Sequence, residues 1–459
     1  MATTPADPGD GDIQEQAALF QALVVTVQHF FGGFPALFRG VTDPRQPELI
    51  TYPLPAVLTA GLLLFLFRLG ARRQIGCLLR RNGPSATKFK ALFGVPACPH
   101  GDTMAYLCRR LDVGEVQEAV TGLTETLIRR KVLYRYRLLD EYFLVVIDGT
   151  GMLTFTERHC PQCLTRTVHG RTLYYHPVLE AKLVTSTGWV FSLLTEFIEN
   201  PEASPTKQDC ELKAFYRLAA RLKQRFPRLP LCLLLDSLFA GGPTFTICER
   251  NHWQYLIVLQ EGDLPTVHQE FAALTPLAPA DHLVFRTGVQ RQIHQDFRWV
   301  NDLAYVDSEH HEHTVAVFQC LETKPDAPGQ RTTTRFKWIT NFRVTAPRVV
   351  TLANDGGRLR WKIENEGFNV QKNGGYALEH VYCAHPTAGK VFYLLLQMAH
   401  LLAQLLEHGS LLRQAVPAGV GSAKNLAFRL LEAWRNLRLS AAEIQQLARV
   451  RLQIRFDSS

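Results

Sequence analysis

The chain is 459 residues long, and at about 150 residues per domain that length corresponds to roughly three domains, which excludes a single small binding module. With 46% hydrophobic and 20% charged residues it can build sizeable cores, which excludes wholesale disorder and a fibrous repeat. Its 50 Lys+Arg against 42 Asp+Glu give a net charge of +8, a balance that favours a polyanionic partner such as nucleic acid.

Residues 1–12 carry Pro5, Asp7, Pro8, Gly9, Asp10, Gly11 and Asp12 and have little to bury, so they read as a disordered tail. Residues 13–140 read as a helical region, with apolar side chains at three- and four-residue spacing over 56–67 and 116–127. The stretch 53–69 is apolar for little more than a dozen residues and carries Arg68, short of the roughly 20 needed to span a bilayer. A buried helix is the better account, and no membrane partner is expected. The start of the chain lacks a signal-sequence pattern and the ten cysteines are scattered, so a reducing cytoplasm is the expected compartment.

Arg72, Arg73, Arg80, Arg81, Lys88 and Lys90 fall within twenty residues that contain no acid, and a second run follows at Arg129, Arg130, Lys131, Arg135 and Arg137. A solvated helix face accounts for either run alone. Two runs ahead of an acidic core point instead to phosphate-backbone contacts with double-stranded DNA.

The character changes at Tyr142. Residues 142–147 are a continuous β-branched and aromatic run that ends at Asp148-Gly149-Thr150-Gly151, a buried strand delivering a carboxylate at its end. Strands are also expected at 172–175, 180–185 and 189–197, then a helix over 209–225. A second buried strand, 231–235, ends at Asp236, and a short helix and a strand at 254–259 follow. Residues 141–262 thus form the first part of a core, and 263–348 alternate as an antiparallel, β-rich insertion. The second part of the core, 349–400, returns to helix around 357–364, and 401–459 is helical. The class is α+β.

His159-Cys160-Pro161-Gln162-Cys163 lies in the hairpin after the first strand, with His169 and His176 beyond it. One Cys-x-x-Cys is half of a structural Zn²⁺ site, which His159 or His169 would have to complete; the competing account is a tight turn with two reduced thiols. Trp253 and Trp299 are candidates to stack on a flipped base, although burial is the commoner fate of such rings. Basic residues from Lys424 to Arg455 add DNA contacts or line a dimer surface.

Three acids stand out by position: Asp148 and Asp236 at strand ends, and Glu364 on a helix. Two-metal phosphoryl transfer needs such hard oxygen ligands, which hold two Mg²⁺ ions about 3.5–4 Å apart; Mn²⁺ can substitute. Arg360, four residues before Glu364, falls on the same helix face, where it can meet a substrate phosphate or simply pair with Glu364.

At these residues a family likeness emerges. Val146-Ile147-Asp148-Gly149-Thr150-Gly151, Leu234-Leu235-Asp236-Ser237-Leu238-Phe239-Ala240 and Arg360-Trp361-Lys362-Ile363-Glu364-Asn365-Glu366-Gly367-Phe368-Asn369 resemble the DDE transposases of bacterial insertion sequences, in the group whose last acid lies in a Tyr-Arg-Glu-Lys signature. The resemblance runs from about 54 to 400. It implies a ribonuclease H-like mixed sheet flanked by helices, a helical DNA-binding N-terminal region, and Asp148, Asp236 and Glu364 as catalytic metal ligands. It also implies Arg360 and Lys372 as DNA contacts, and a homodimer bridging two terminal inverted repeats before strand transfer into target DNA. Two positions depart from the signature: Gly357 stands where its tyrosine is expected, and Gln371 where its lysine is, with Lys372 one further on. The rival expectations are a catalytically silent or domesticated DNA-binding derivative and a structure-specific nuclease on the same core.

Overall fold

The computed structural model describes residues 8–80, 82–202, 205–326 and 330–456 of a mixed α/β protein. The N-terminal region is helical, as its periodicity predicts: α1 (Pro8–Phe31), α2 (Leu54–Leu66), α3 (Pro84–Phe93), α4 (Gly101–Cys108) and α5 (Val113–Arg129). Helix α1 begins inside the stretch expected to be a tail; residues 1–7 lie outside the described residues, but from Pro8 the chain is helical. Proline suits a first helical turn, where a missing N–H costs no bond, and burial of Leu19, Phe20, Leu23 and Val27 holds the rest.

The centre of the molecule is a sheet built from β1 (Phe143–Phe155), β2 (Leu164–Val168), β3 (Arg171–Val184), β4 (Val190–Phe197), then, after helix α6 (Glu211–Arg225), β5 (Leu231–Leu235). Helix α7 (Gly242–Asn251) leads to β6 (Gln254–Val258), and helix α8 (Pro265–Leu274) to β7 (His282–Thr287), β8 (Ile293–Val306), β9 (Glu312–Pro325) and β10 (Arg331–Thr340). Among the described residues the spatial order is β2-β3-β1-β5-β6-β10-β9-β8-β7, with β4 also paired to β3. Strands β1, β5 and β6 are mutually parallel and the other pairs antiparallel. The region expected to be a β-rich insertion opens with a helix, and its strands extend the central sheet through the β6–β10 pair.

Alternation along the parallel strands divides the interior in two. Phe143, Val145 and Ile147 face a large core that takes in α1, α2, α5 and α11 (Pro386–Glu407). Leu144 and Val146, with Cys232 and Leu234 on β5, face a smaller core closed by Leu352, Leu359, Ile363 and Phe368. Helix α11 is the one described helix long and apolar enough to cross a membrane, and 94% of its most apolar stretch is buried inside the protein.

The helix expected around Glu364 is irregular. After α9 (Ala346–Thr351) the chain makes a π turn (Leu352–Gly356), a 3-10 turn (Gly357–Trp361) and a second π turn (Ile363–Asn369) before α10 (Val370–Asn373). The break coincides with two glycines against the sheet. A Cβ on Gly356 would come within 2.6 Å of Leu256 Cδ1, and one on Gly357 within 2.4 Å of Trp338 Nε1. Local over- and under-winding of this kind re-aims side chains and is frequent at functional sites. The C-terminal region is helical, with α12 (Ser410–Ala415), α13 (Ala423–Asn436) and α14 (Ala441–Leu447). Trp434 of α13 packs edge-on or tilted against Phe20, Phe34, Phe67 and Phe89, so the two helical ends of the chain share one core.

Candidate active site

Asp148 continues the 144–146 face of β1 and Asp236 the 232–234 face of β5, the side on which the Glu364 segment packs. Asp148 is not at a strand end, since β1 runs on to Phe155. What ends beside it is the pairing with β5, last made between Val146 and Leu234, so the groove between the strands opens at both aspartates. Asp236 follows directly on β5, and its Oδ1 accepts from Leu238 N at 3.0 Å.

Arg360 joins the acids. Its Nη1 donates to Glu364 Oε1 at 2.9 Å and lies 3.7 Å from Asp148 Oδ2, with the guanidinium almost fully buried over the Trp361 ring. The intrahelical Arg–Glu pair is therefore made despite the irregular winding. Burial pushes the Asp148 carboxyl up to about 7; the Gly149 N–H and Arg360 oppose this, and Glu364 and Asp236 add to it. Asp236 is also raised, chiefly by burial, with Arg360 opposing and Glu364 adding. Three carboxylates from distant parts of the sequence thus share one field and one cation.

A fourth acid is not singled out by the sequence. Glu211, the first residue of α6, lies against Gly149, where a Cβ would come within 2.2 Å of its Oε1. Burial raises its proton affinity and the charge of Asp236 raises it further. An acid in the first turn of a helix ordinarily serves the helix dipole, so only the glycine after Asp148 hints at a close neighbour.

Beside Asp236 and Arg360 opens a cavity of about 660 Å³, lined also by His268, Arg335, Lys337 and Arg358. Trp361, at its rim, is half exposed, whereas Trp253 and Trp299 are buried and unable to meet a base. Positions 357 and 371 are constrained by their surroundings. Trp338 fills the space beside position 357, leaving no room for a side chain. Gln371 is fully buried, and its Nε2 donates to Gln397 Oε1, the acceptor that Lys182 Nζ also uses. A lysine there would put a second cation beside Lys182. Lys372 is partly exposed and pairs with Glu379 at 3.0 Å.

Of the basic run, Arg73, Arg80 and Lys90 are exposed, Arg72 pairs with Asp102 at 3.5 Å, and Arg81 lies outside the described residues. Lys88 is a correction: it is fully buried, donates to Leu437 O at 2.6 Å, and is brought down to about 8 by desolvation. It ties α3 to the C-terminal helices and cannot reach a phosphate. Just ahead of the run, Arg68 stacks over Tyr376, which links the helical region to the chain that follows Glu364.

The Cys-x-x-Cys cluster is assembled, with a different histidine. His159, Cys160, Cys163 and His176 bring their ligand atoms within 4.8 Å of one another. His169 sits exposed in the β2–β3 turn with φ 48°, away from them. Alternation on β3 turns His176 inward, an effect that a strand beginning at 180 would not produce. No protein-family model and no curated protein matches the chain.

Proposed function

We propose that the protein is a metal-dependent DNA transposase of the DDE type, which cuts phosphodiesters at the ends of an insertion sequence and joins the freed 3′-hydroxyl to target DNA. The observation that carries this reading is the meeting of Asp148, Asp236 and Glu364 around Arg360. The order β4-β3-β1-β5-β6, with the first three antiparallel and the last three parallel, supports a ribonuclease H-like core.

Hard oxygens brought together by two strands and a packed segment fit a pair of Mg²⁺ or Mn²⁺ ions, and the raised proton affinities of Asp148 and Asp236, due first to burial and then to the neighbouring acids, mark a place where a cation would favour the ionised forms. Such ions, when bound, supply Lewis-acid activation of the attacking oxygen and stabilisation of the leaving one. Asp148 and Asp236 hold the floor of the site and Glu364 its wall. Arg360 orients Glu364 and offers a charge to the scissile phosphate, and Arg335, Lys337 and Arg358 line the adjoining cavity for the flanking backbone. Glu211 adds a carboxylate from the far side of β1. Two ends must be cut and joined together, so a homodimer is the expected assembly on DNA.

The test uses labelled element ends with the full chain. Asp148→Asn and Glu364→Gln should abolish Mg²⁺-dependent cleavage and leave DNA binding intact. Cleavage that survives both substitutions overturns the proposal. Cleavage without joining assigns a nuclease, and binding without cleavage by the parent assigns a silent derivative. Replacing Arg73, Arg80 and Lys90 by alanine should weaken binding across sequences and flatten its salt dependence by about 0.9 for each phosphate that is no longer neutralised.

A further inference from the structure

We propose that His159, Cys160, Cys163 and His176 form a Cys₂His₂ site for one structural zinc ion, separate from the carboxylate cleft. The four ligand atoms all lie within 4.8 Å of one another. Cys160 Sγ lies 3.1 Å from Cys163 Sγ and 3.2 Å from His176 Nε2, and Cys163 Sγ lies 3.4 Å from both His159 Nδ1 and His176 Nε2. Metal bonds of about 2.0–2.3 Å to nitrogen and sulfur require ligand separations of roughly 3.3–3.8 Å, and these four separations are at or a few tenths of an ångström below that range. The 3.1 Å between the sulfurs is well beyond the roughly 2.05 Å of a disulfide. Two thiolates and two imidazoles select zinc over the hard ions of a carboxylate site.

The surroundings are those of a closed metal site. Both cysteines and His176 are buried, and the Nε2 of His159 is buried without a partner. His176 turns Nε2 to the sulfurs and leaves Nδ1 on the side of Glu199, whose Oε1 lies 3.9 Å away.

The location indicates what the ion would do. The β2–β3 hairpin is largely exposed beyond its base, and the connection from β1 to β2 has no regular structure of its own. The zinc would close that base by joining the β1–β2 connection to β3. Asn200 then extends the tie: its Nδ2 donates to Cys163 O at 2.9 Å, and its Oδ1 accepts from Asp209 N at 3.1 Å, two residues before Glu211. The knuckle would thus steady both the continuation of the Asp148 strand and the entrance to α6.

The full-length protein, purified without chelator or a metal-affinity tag, should contain about one zinc per chain by elemental analysis. Cobalt exchanged into it should show the visible absorption of a tetrahedral thiolate complex. His176→Ala and Cys163→Ser should lose the metal while His169→Ala retains it. If the first two variants fail to fold, the cobalt spectrum and a chelator-induced fall in melting temperature at constant excess Mg²⁺, reversed by zinc, decide the matter on the parent. Zinc below about 0.1 per chain, a Cys160–Cys163 disulfide by mass, or retention in His176→Ala with loss in His169→Ala would overturn the proposal. None of these readouts depends on DNA cleavage.

Discussion

Two clusters of ligand-type side chains sit on or beside the same strand, β1, and they are built to opposite specifications. The carboxylate cleft is open to a cavity, offers oxygens, and already has a protein cation between Asp148 and Glu364. The Cys/His knuckle offers sulfur and nitrogen, with both cysteines and His176 buried. Hard oxygen ligands exchange their ions and leave room for substrate, whereas a buried thiolate–imidazole set holds one ion permanently and contributes its binding energy to folding. On the proposed readings, one strand would carry an exchanging, substrate-facing centre and lead into a permanent one.

The sharpest way to separate the centres is through activity. Asp148→Asn or Glu364→Gln is expected to lower end cleavage by at least about 10³-fold with no change in zinc content, checked by single-turnover assays beside elemental analysis. The strand shared by both offers a way to break the contrast. Glu180, opposite Asp148 on β3, is buried with Lys182 at 3.4 Å, and Ser192 Oγ donates to it at 2.8 Å. Lys182→Ala leaves that carboxylate without its cation and should cost about 3–5 kcal/mol in urea unfolding, weakening both centres together. With Mg²⁺ held constant in excess, a zinc-selective chelator should act on the knuckle, lowering the melting temperature by about 5 °C or more, with recovery when zinc is restored.

A smaller effect distinguishes the cleft by pH. Burial raises Asp148 to about 7, so its ionised form is disfavoured in the folded chain; this destabilisation is complete above about pH 7 and fades as pH falls toward the ordinary carboxylate value. Magnesium relieves it, so the rise in melting temperature on adding Mg²⁺ should grow from about pH 6 to about pH 8. Asp148→Asn should remove that growth. The smallest expected change is at Arg360, whose charge opposes the upward shift of Asp148. Arg360→Gln should move the midpoint of the same profile upward by about one unit.

Much of the cleft is legible in the sequence because strand parity is a local property. Residues 144, 146 and 148 share a face whatever surrounds them, and so do 232, 234 and 236, which is enough to put Asp148 and Asp236 on one side of adjacent parallel strands. The spacing from Arg360 to Glu364 survives irregular winding because three to five residues per turn all leave these long side chains within reach. Local pattern misleads where a partner comes from far away. Lys88 belongs to a basic run by sequence, yet the carbonyl of Leu437 draws it inside. Glu211 reads as a helix-dipole residue until Gly149 brings it to β1. The sequence offers His159 or His169 to complete the Cys-x-x-Cys pair, and only the β3 pairing that sets Tyr175 opposite Leu164 and His176 opposite Leu153 turns His176 in and leaves His169 in a turn.

By itself the sequence determined the helical ends, the parallel strands and the face on which each aspartate stands, since each follows from the periodicity of buried side chains. Tertiary structure decided the winding of the Glu364 segment, the inward turn of His176 and the removal of Lys88 from the basic surface. Those outcomes rest on interactions between residues tens to hundreds of positions apart, where close approach of backbone to sheet and the need to satisfy a buried charge outweigh any local preference.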